Sequence, residues 1–241
     1  MTAMGALVTV TLRGLLGRRR MLLMLLLAAL PVLVGLVIRV AGGSPNTAQI
    51  LDALVIRTVL PLVALIVGTA AIGSEIEDGT AVFLLVKPIA RWRVALAKLA
   101  VAAGLTAALV MPPMVLTGIL VGGLDGESLG TTFGFALAAL IGGTAYAWAF
   151  TALGTITSRA LIVGLAYTLL WEGVLAGLLE GTRFLSIRQA TLGLATAWTG
   201  HGTGRAALEP VTAAMVAIIV IAGAFGLTAL ALARFQIRSA D

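Results

Sequence analysis

Six stretches of this chain run apolar for 18 residues or more, and that repetition limits the fold more than any other feature. They cover about residues 21–40, 56–73, 99–121, 132–157, 160–179 and 210–233. A hydrocarbon core about 30 Å thick is crossed by about 20 apolar residues of helix. In lipid a backbone must satisfy its own polar groups, which leaves helices or closed barrels, and runs of this length are helical. Charge is correspondingly scarce, at 11% of 241 residues, where a water-soluble domain carries roughly a quarter. The expectation is an all-α polytopic membrane protein, one transmembrane domain over 1–241 with six spans and no sizeable soluble part.

Residues 4–17 (MGALVTVTLRGLLG) mix small and apolar residues and run into Arg18, Arg19 and Arg20, as an interfacial helix does before a first span. The run 21–40 is too long for a signal-peptide core and lacks an A-x-A cleavage site, so it reads as a retained anchor, with a twin-arginine export signal the competing reading. In a six-span layout Arg13, Arg18, Arg19, Arg20, Lys87, Arg91, Arg93, Lys98, Arg159, Arg234 and Arg238 share one side. Arg39, Arg57, Arg183, Arg188 and Arg205 take the other. The richer side is cytoplasmic by the positive-inside rule, which puts both termini inside the cell membrane. The same placement directs the net charge of +6 to lipid headgroups and away from nucleic acid.

Residues 41–55 and 122–131 read as short external loops, and 158–160 as a tight internal turn. The segment 180–209 is a longer external one. Its FLSIRQATLGLATAW portion is apolar enough to form one or two short helices dipping back into the membrane, where any irregular backbone needs shielding by protein. The one substantial internal loop lies in SEIEDGTAVFLLVKPIARWRVALAKLA, residues 74–100, which gathers Glu75, Glu77, Asp78, Lys87, Arg91, Arg93 and Lys98. Thr80 is placed to cap a short helix through AVFLLV, the acidic residues before it complement the helix dipole, and Pro88 ends it. Five consecutive apolar residues, Val82–Val86, need lipid or a protein to cover them. The plainer alternative is a solvated loop anchored to anionic lipid.

This loop resembles the one after the second span in permeases of the type-2 ATP-binding-cassette (ABC) transporter family. The pattern is E-x-E-x-G-T, then L-L, then K-P-I-x-R and a later lysine, here Glu75, Glu77, Gly79, Thr80, Leu84, Leu85, Lys87, Pro88, Ile89, Arg91 and Lys98. Six spans, a basic N-terminal interfacial helix and an apolar segment before the last span are similar to that family too. The resemblance implies that residues 80–86 form a coupling helix seated on a separate ATPase subunit, with Glu75, Glu77, Asp78, Gly79, Phe83, Leu84, Leu85, Pro88 and Arg91 around the contact. It implies two ATPase subunits and a second permease, either identical or a paralogue, embedded in membrane lipid. No G-x-x-x-x-G-K-[ST] occurs, so ATP and Mg belong to the partner and this chain binds no cofactor itself. Family cargoes include drugs, antibiotics, lipids and polysaccharides, and the apolar spans here favour a hydrophobic or amphipathic one.

Within the expected spans Glu172 is the costliest residue, since a mid-span carboxylate faces a cavity or a partner. Either it pairs with Arg57, or it lines the substrate pathway; Tyr167 and Trp171, spaced i, i+4, share a face near it, as core packing or as an aromatic wall towards the cargo. Gly118-x-x-x-Gly122 and Gly173-x-x-x-Gly177 permit close helix contacts, and Pro31, Pro61, Pro112 and Pro113 bend their spans. The lone histidine, His201, and the absence of cysteine leave no metal site. No metalloprotease or serine-hydrolase motif is present, so catalysis is not expected. A secondary transporter or a structural membrane subunit without ATP coupling is the alternative.

Overall fold

The computed structural model describes residues 17–43, 45–77, 90–176, 180–200 and 208–234, with single positions 9, 11, 12, 14 and 15 before them. Among these the fold is helical and has no strand. Helix α1 spans Arg18–Val40. A short α2 (Thr47–Ile50) runs without interruption through a π-helical segment, π1 (Leu51–Val59), into α3 (Leu60–Glu77). Then follow α4 (Arg91–Gly122), α5 (Gly126–Ile156) and α6 (Ala160–Ala166), the last continued by a second π segment, π2 (Tyr167–Leu175). A 3₁₀ turn (Glu180–Leu185), α7 (Ile187–Thr199) and α8 (Pro210–Arg234) complete the order.

Five helical stretches are long and apolar enough to cross a membrane: Arg20–Val40, Thr47–Ile72, Arg91–Gly122, Gly126–Ile156 and Pro210–Arg234. The expected fifth span is present as a shorter apolar helix, Ala160–Leu175. Helix α4, with 32 residues, is about 48 Å long at 1.5 Å per residue and so overshoots a hydrocarbon core by several turns.

Two sequence boundaries are corrected. Residues 41–55 are not a loop throughout, because Asn46 accepts a hydrogen bond from the Gln49 amide (3.2 Å) and starts a helix at Thr47. Asp52 and Arg57 lower the hydropathy of that stretch, yet they pair with each other within π1, and the helix continues into α3. Residues 122–131 are likewise mostly helix. Gly123 turns at φ +84°, and Asp125 caps α5 by accepting from the Ser128 amide at 3.0 Å.

Helix α5 is the centre of the bundle, packed by α3, α4, α7 and α8. The most apolar window of α5 is 61% buried, whereas those of α1 and α8 are 22% and 17% buried, which places the latter pair at the periphery. The cause is legible in its residues: α5 buries Gly134, Ala138, Ala139, Gly142, Gly143, Ala145 and Gly154, so neighbouring backbones approach closely. A Cβ on Gly142 would fall 2.0 Å from Thr191 Oγ1 of α7. Four buried threonines add polarity at no hydrogen-bonding deficit, because Thr151, Thr168, Thr191 and Thr228 each donate to a carbonyl four residues back in their own helix, whereas the buried Thr106 hydroxyl finds no partner.

Gly118 and Gly122 do mark a close crossing: Cβ atoms there would meet Thr132 and Thr47. Gly173 makes no such approach, and Gly177 lies outside the described residues. Pro31, Pro112 and Pro113 lie inside helices, and Pro61 sits two residues past π1, at the second position of α3, where its missing N–H suits a change of helical repeat. In the expected interfacial helix, positions 9, 11, 12, 14 and 15 are helical, and Leu15 joins the main core.

Candidate functional site

Residues 78–89, which hold the expected coupling helix with Asp78, Gly79, Thr80, Phe83, Leu84, Leu85 and Pro88, lie outside the described residues, as does His201. Glu75 and Glu77 close α3. What the structure does show is how the two helices flanking that loop are held. Lys98 is 1% exposed, and its Nζ donates to the Ala71 carbonyl of α3 at 3.0 Å. A long cationic side chain is buried at this depth only when its ammonium is satisfied, so Lys98 clamps α4 to α3 just inside the loop. At the first turn of α4, Arg91 donates to the Leu232 and Ala233 carbonyls of α8 (2.9 and 2.7 Å). A cation on the last carbonyls is the favoured end of a helix dipole. Arg93 lies over the Trp92 ring at 5.3 Å.

Further into the same bundle, Glu172 of π2 gathers four donors. Its Oε2 accepts a hydrogen bond from the Tyr146 hydroxyl of α5. Its Oε1 accepts from the Tyr167 hydroxyl (3.0 Å), the Ser186 hydroxyl (3.4 Å) and the Arg188 amide (3.2 Å). Three donors thus converge on Oε1, whose two lone pairs they share, and one uses Oε2. Ser186 also caps α7 by accepting from the Gln189 amide at 3.2 Å, so the carboxylate sits against the N-terminus of α7, the end that attracts negative charge. Tyr167 and Trp171 share a face as expected, and both reach the Leu185 carbonyl, at 3.2 and 3.3 Å. One side chain thereby fastens α5, π2 and α7 together.

The expected Glu172–Arg57 pair is not made. Arg57 instead pairs with Asp52, Nη2 to Oδ2 at 3.3 Å and Nε to Oδ1 at 3.3 Å. The physical reason lies in the winding of π1. In an α-helix residues five apart point about 140° away from each other, whereas the i→i+5 repeat of a π turn sets them on one face. The same repeat in π2 aligns Tyr167 with Glu172. Arg188, 6% exposed, reaches Glu172 through its backbone amide, and no ion pair joins the two side chains. Its Nε has no hydrogen-bond partner. Asp52, Tyr146, Ser186 and Arg188 were not legible as site residues. Ser186 alone carried a signal, a serine directly before a helical pattern with a glutamine three residues on.

Beside this knot a cleft of about 580 Å³ separates π2 and α6 from α8. Helix α5 forms its floor, and Tyr167, Leu185 and Ile187 close its end. Tyr167 borders this space; Glu172, 2% exposed, is sealed behind it. Among the described residues no cluster of three or more His, Cys, Asp or Glu could hold a metal ion.

The sequence matches the domain described as ABC-2 family transporter protein over residues 16–179. The chain belongs to the ABC-2 transporter family. No curated protein matches it. The matched region of this permease holds the charged 74–100 stretch, the Lys98 clamp and Glu172, while α7 and α8 lie beyond it. Family membership makes the chain a transport membrane subunit and implies partnership with an ABC ATPase subunit.

Proposed function

We propose that this permease is half of the membrane pathway of an ATP-driven exporter of a hydrophobic or amphipathic molecule, such as a drug, antibiotic or lipid. Six spans cross the cell membrane with both termini in the cytoplasm. The partners are two ATPase subunits, which bind ATP and Mg, and a second permease, a copy or a paralogue. Residues 80–86 seat on the ATPase, with Glu75, Glu77, Asp78, Phe83, Leu84, Leu85 and Arg91 around the contact.

The observation that carries this reading is the ABC-2 match over a region containing the E-x-E-x-G-T…K-P-I-x-R loop. The packing supports a mechanical role for that loop. A push on residues 78–89 is delivered to α3 and α4, which Lys98 clamps together, and to α8 through Arg91. From α3 and α4 it passes to the small-residue surface of α5, and from α5 through Tyr146 and Glu172 to α7. Rigid close packing transmits such a displacement where a loosely packed interface would absorb it.

The test is assembly and transport. The purified permease alone is expected to show no ATP hydrolysis. Leu84→Asp combined with Leu85→Asp, or charge reversal at Glu75 and Glu77, is expected to abolish co-purification of the ATPase or cargo-stimulated turnover. Intact assembly and intact transport in both variants would refute the coupling assignment. Transport by the permease with no ATPase present would favour a secondary transporter.

A further inference from the structure

The cleft between π2 and α8 is a binding site in its own right. We propose that it holds the hydrocarbon chain of a phospholipid that enters sideways from the bilayer. Its walls are apolar throughout, with Phe150 and Leu153 on the floor, Leu185 and Ile187 at the end and Val220 on the far side. Tyr167 has the one polar side chain among the lining residues, and its hydroxyl is committed to Glu172 and the Leu185 carbonyl.

Three physical considerations select the occupant. A space of about 580 Å³ lies within the range of small-molecule sites and far exceeds the voids that packed interiors leave empty. Water does not fill it well, since a buried water needs two to four polar partners and this wall offers none that is free. The medium at its mouth is the third point. The cleft opens between apolar membrane helices, and its rim residues Phe184, Leu185 and Ile219 are 56%, 66% and 69% exposed. With no free donor, acceptor or charge on the walls, the site selects for a flexible apolar chain and not for a functional group. The occupant touches Tyr167, Leu185 and Ile187, the residues that join the cleft to the Glu172 knot, so a seated chain braces the attachment of α7.

The experiment uses the permease alone in nanodiscs, with neither ATPase nor ATP, so its outcome is separate from that of the coupling assignment. The discs are made of phosphatidylglycerol doped with phosphatidylglycerol carrying a photoreactive diazirine near the end of one acyl chain. After irradiation, adducts are mapped by mass spectrometry. The expected result is labelling of Phe150, Leu153 and Ile187, which face the cleft and are shielded from lipid elsewhere. Val220→Trp fills the cleft from α8 and Val163→Trp obstructs it from α6; either variant that folds should reduce those adducts to background while leaving labels on outward residues such as Leu26 and Leu170. Adducts confined to outward residues would overturn the proposal. So would cleft adducts that survive both tryptophan variants.

Discussion

Replacing Glu172 with leucine removes the acceptor on which three elements converge while nearly conserving volume, and its cost can be worked donor by donor. The Tyr167 hydroxyl retains the Leu185 carbonyl at 3.2 Å, and the Ser186 hydroxyl, already distant at 3.4 Å, can rotate away while still capping α7. The Tyr146 hydroxyl, in a side chain that is 0% exposed, and the Arg188 amide retain nothing. Each buried donor left unpaired costs about 1–3 kcal/mol, so Glu172→Leu should destabilise the permease by roughly 2–6 kcal/mol. Glu172→Gln keeps one acceptor oxygen for the donors on Oε1 and strands only Tyr146, so its loss should be about half as large, roughly 1–3 kcal/mol. Thermal unfolding in detergent measures both. A second readout isolates the fastening of α7, because the chain has no cysteine and a single one serves as a clean probe. Ala190 of α7 is 1% exposed, and Ala190→Cys should resist a soluble maleimide in the parent protein but react in the Glu172→Leu background. An unchanged melting temperature together with a still-protected cysteine would show that the carboxylate fastens nothing.

Two further outcomes follow from the packing and capping. Gly142→Ala places a methyl group against Thr191 and should destabilise the bundle by about 1–3 kcal/mol, with Thr191→Ala in the same chain restoring most of the loss in a detergent melt. The Ser128 amide and hydroxyl hold the Asp125 carboxyl below its ordinary value, so its stabilising contribution is complete above about pH 4 and is lost as pH falls further. The melting difference between the parent and Asp125→Ala should therefore narrow on acidification; a difference that widened would refute the capping role.

The helical class and the positions of five crossing helices could be read from hydropathy because lipid imposes one simple rule, apolar residues over a fixed length. The same rule hid the start at Thr47, since Asp52 and Arg57 look prohibitive until their mutual pairing is seen. Glu172 announced itself as the expensive residue, and Tyr167 lies only five positions before it, but its other three partners came from α5 and from the segment after π2, more than a dozen positions away in either direction. No spacing in the sequence joins Tyr146 to Glu172 or sets Ser186 and the Arg188 amide beneath it. The π winding was equally invisible, because residues five apart carry no pattern that distinguishes a π turn from an α turn. Lys98 was read as a headgroup anchor, whereas the Ala71 carbonyl and its full burial make it an internal clamp.

The two π segments give these membrane helices something a uniform α-helix lacks, a store of slack. A π turn closes its hydrogen bonds one residue later than an α turn, so rewinding one of them would rotate the rest of the helix by about 100° and shift it by about 1.5 Å along its axis. Asp52–Arg57 and Tyr167–Glu172 act as latches on that slack, each bridging residues that only the wider winding brings face to face. Both latches border α7, so letting one go would turn the wall against which that helix rests without unfolding any part of it.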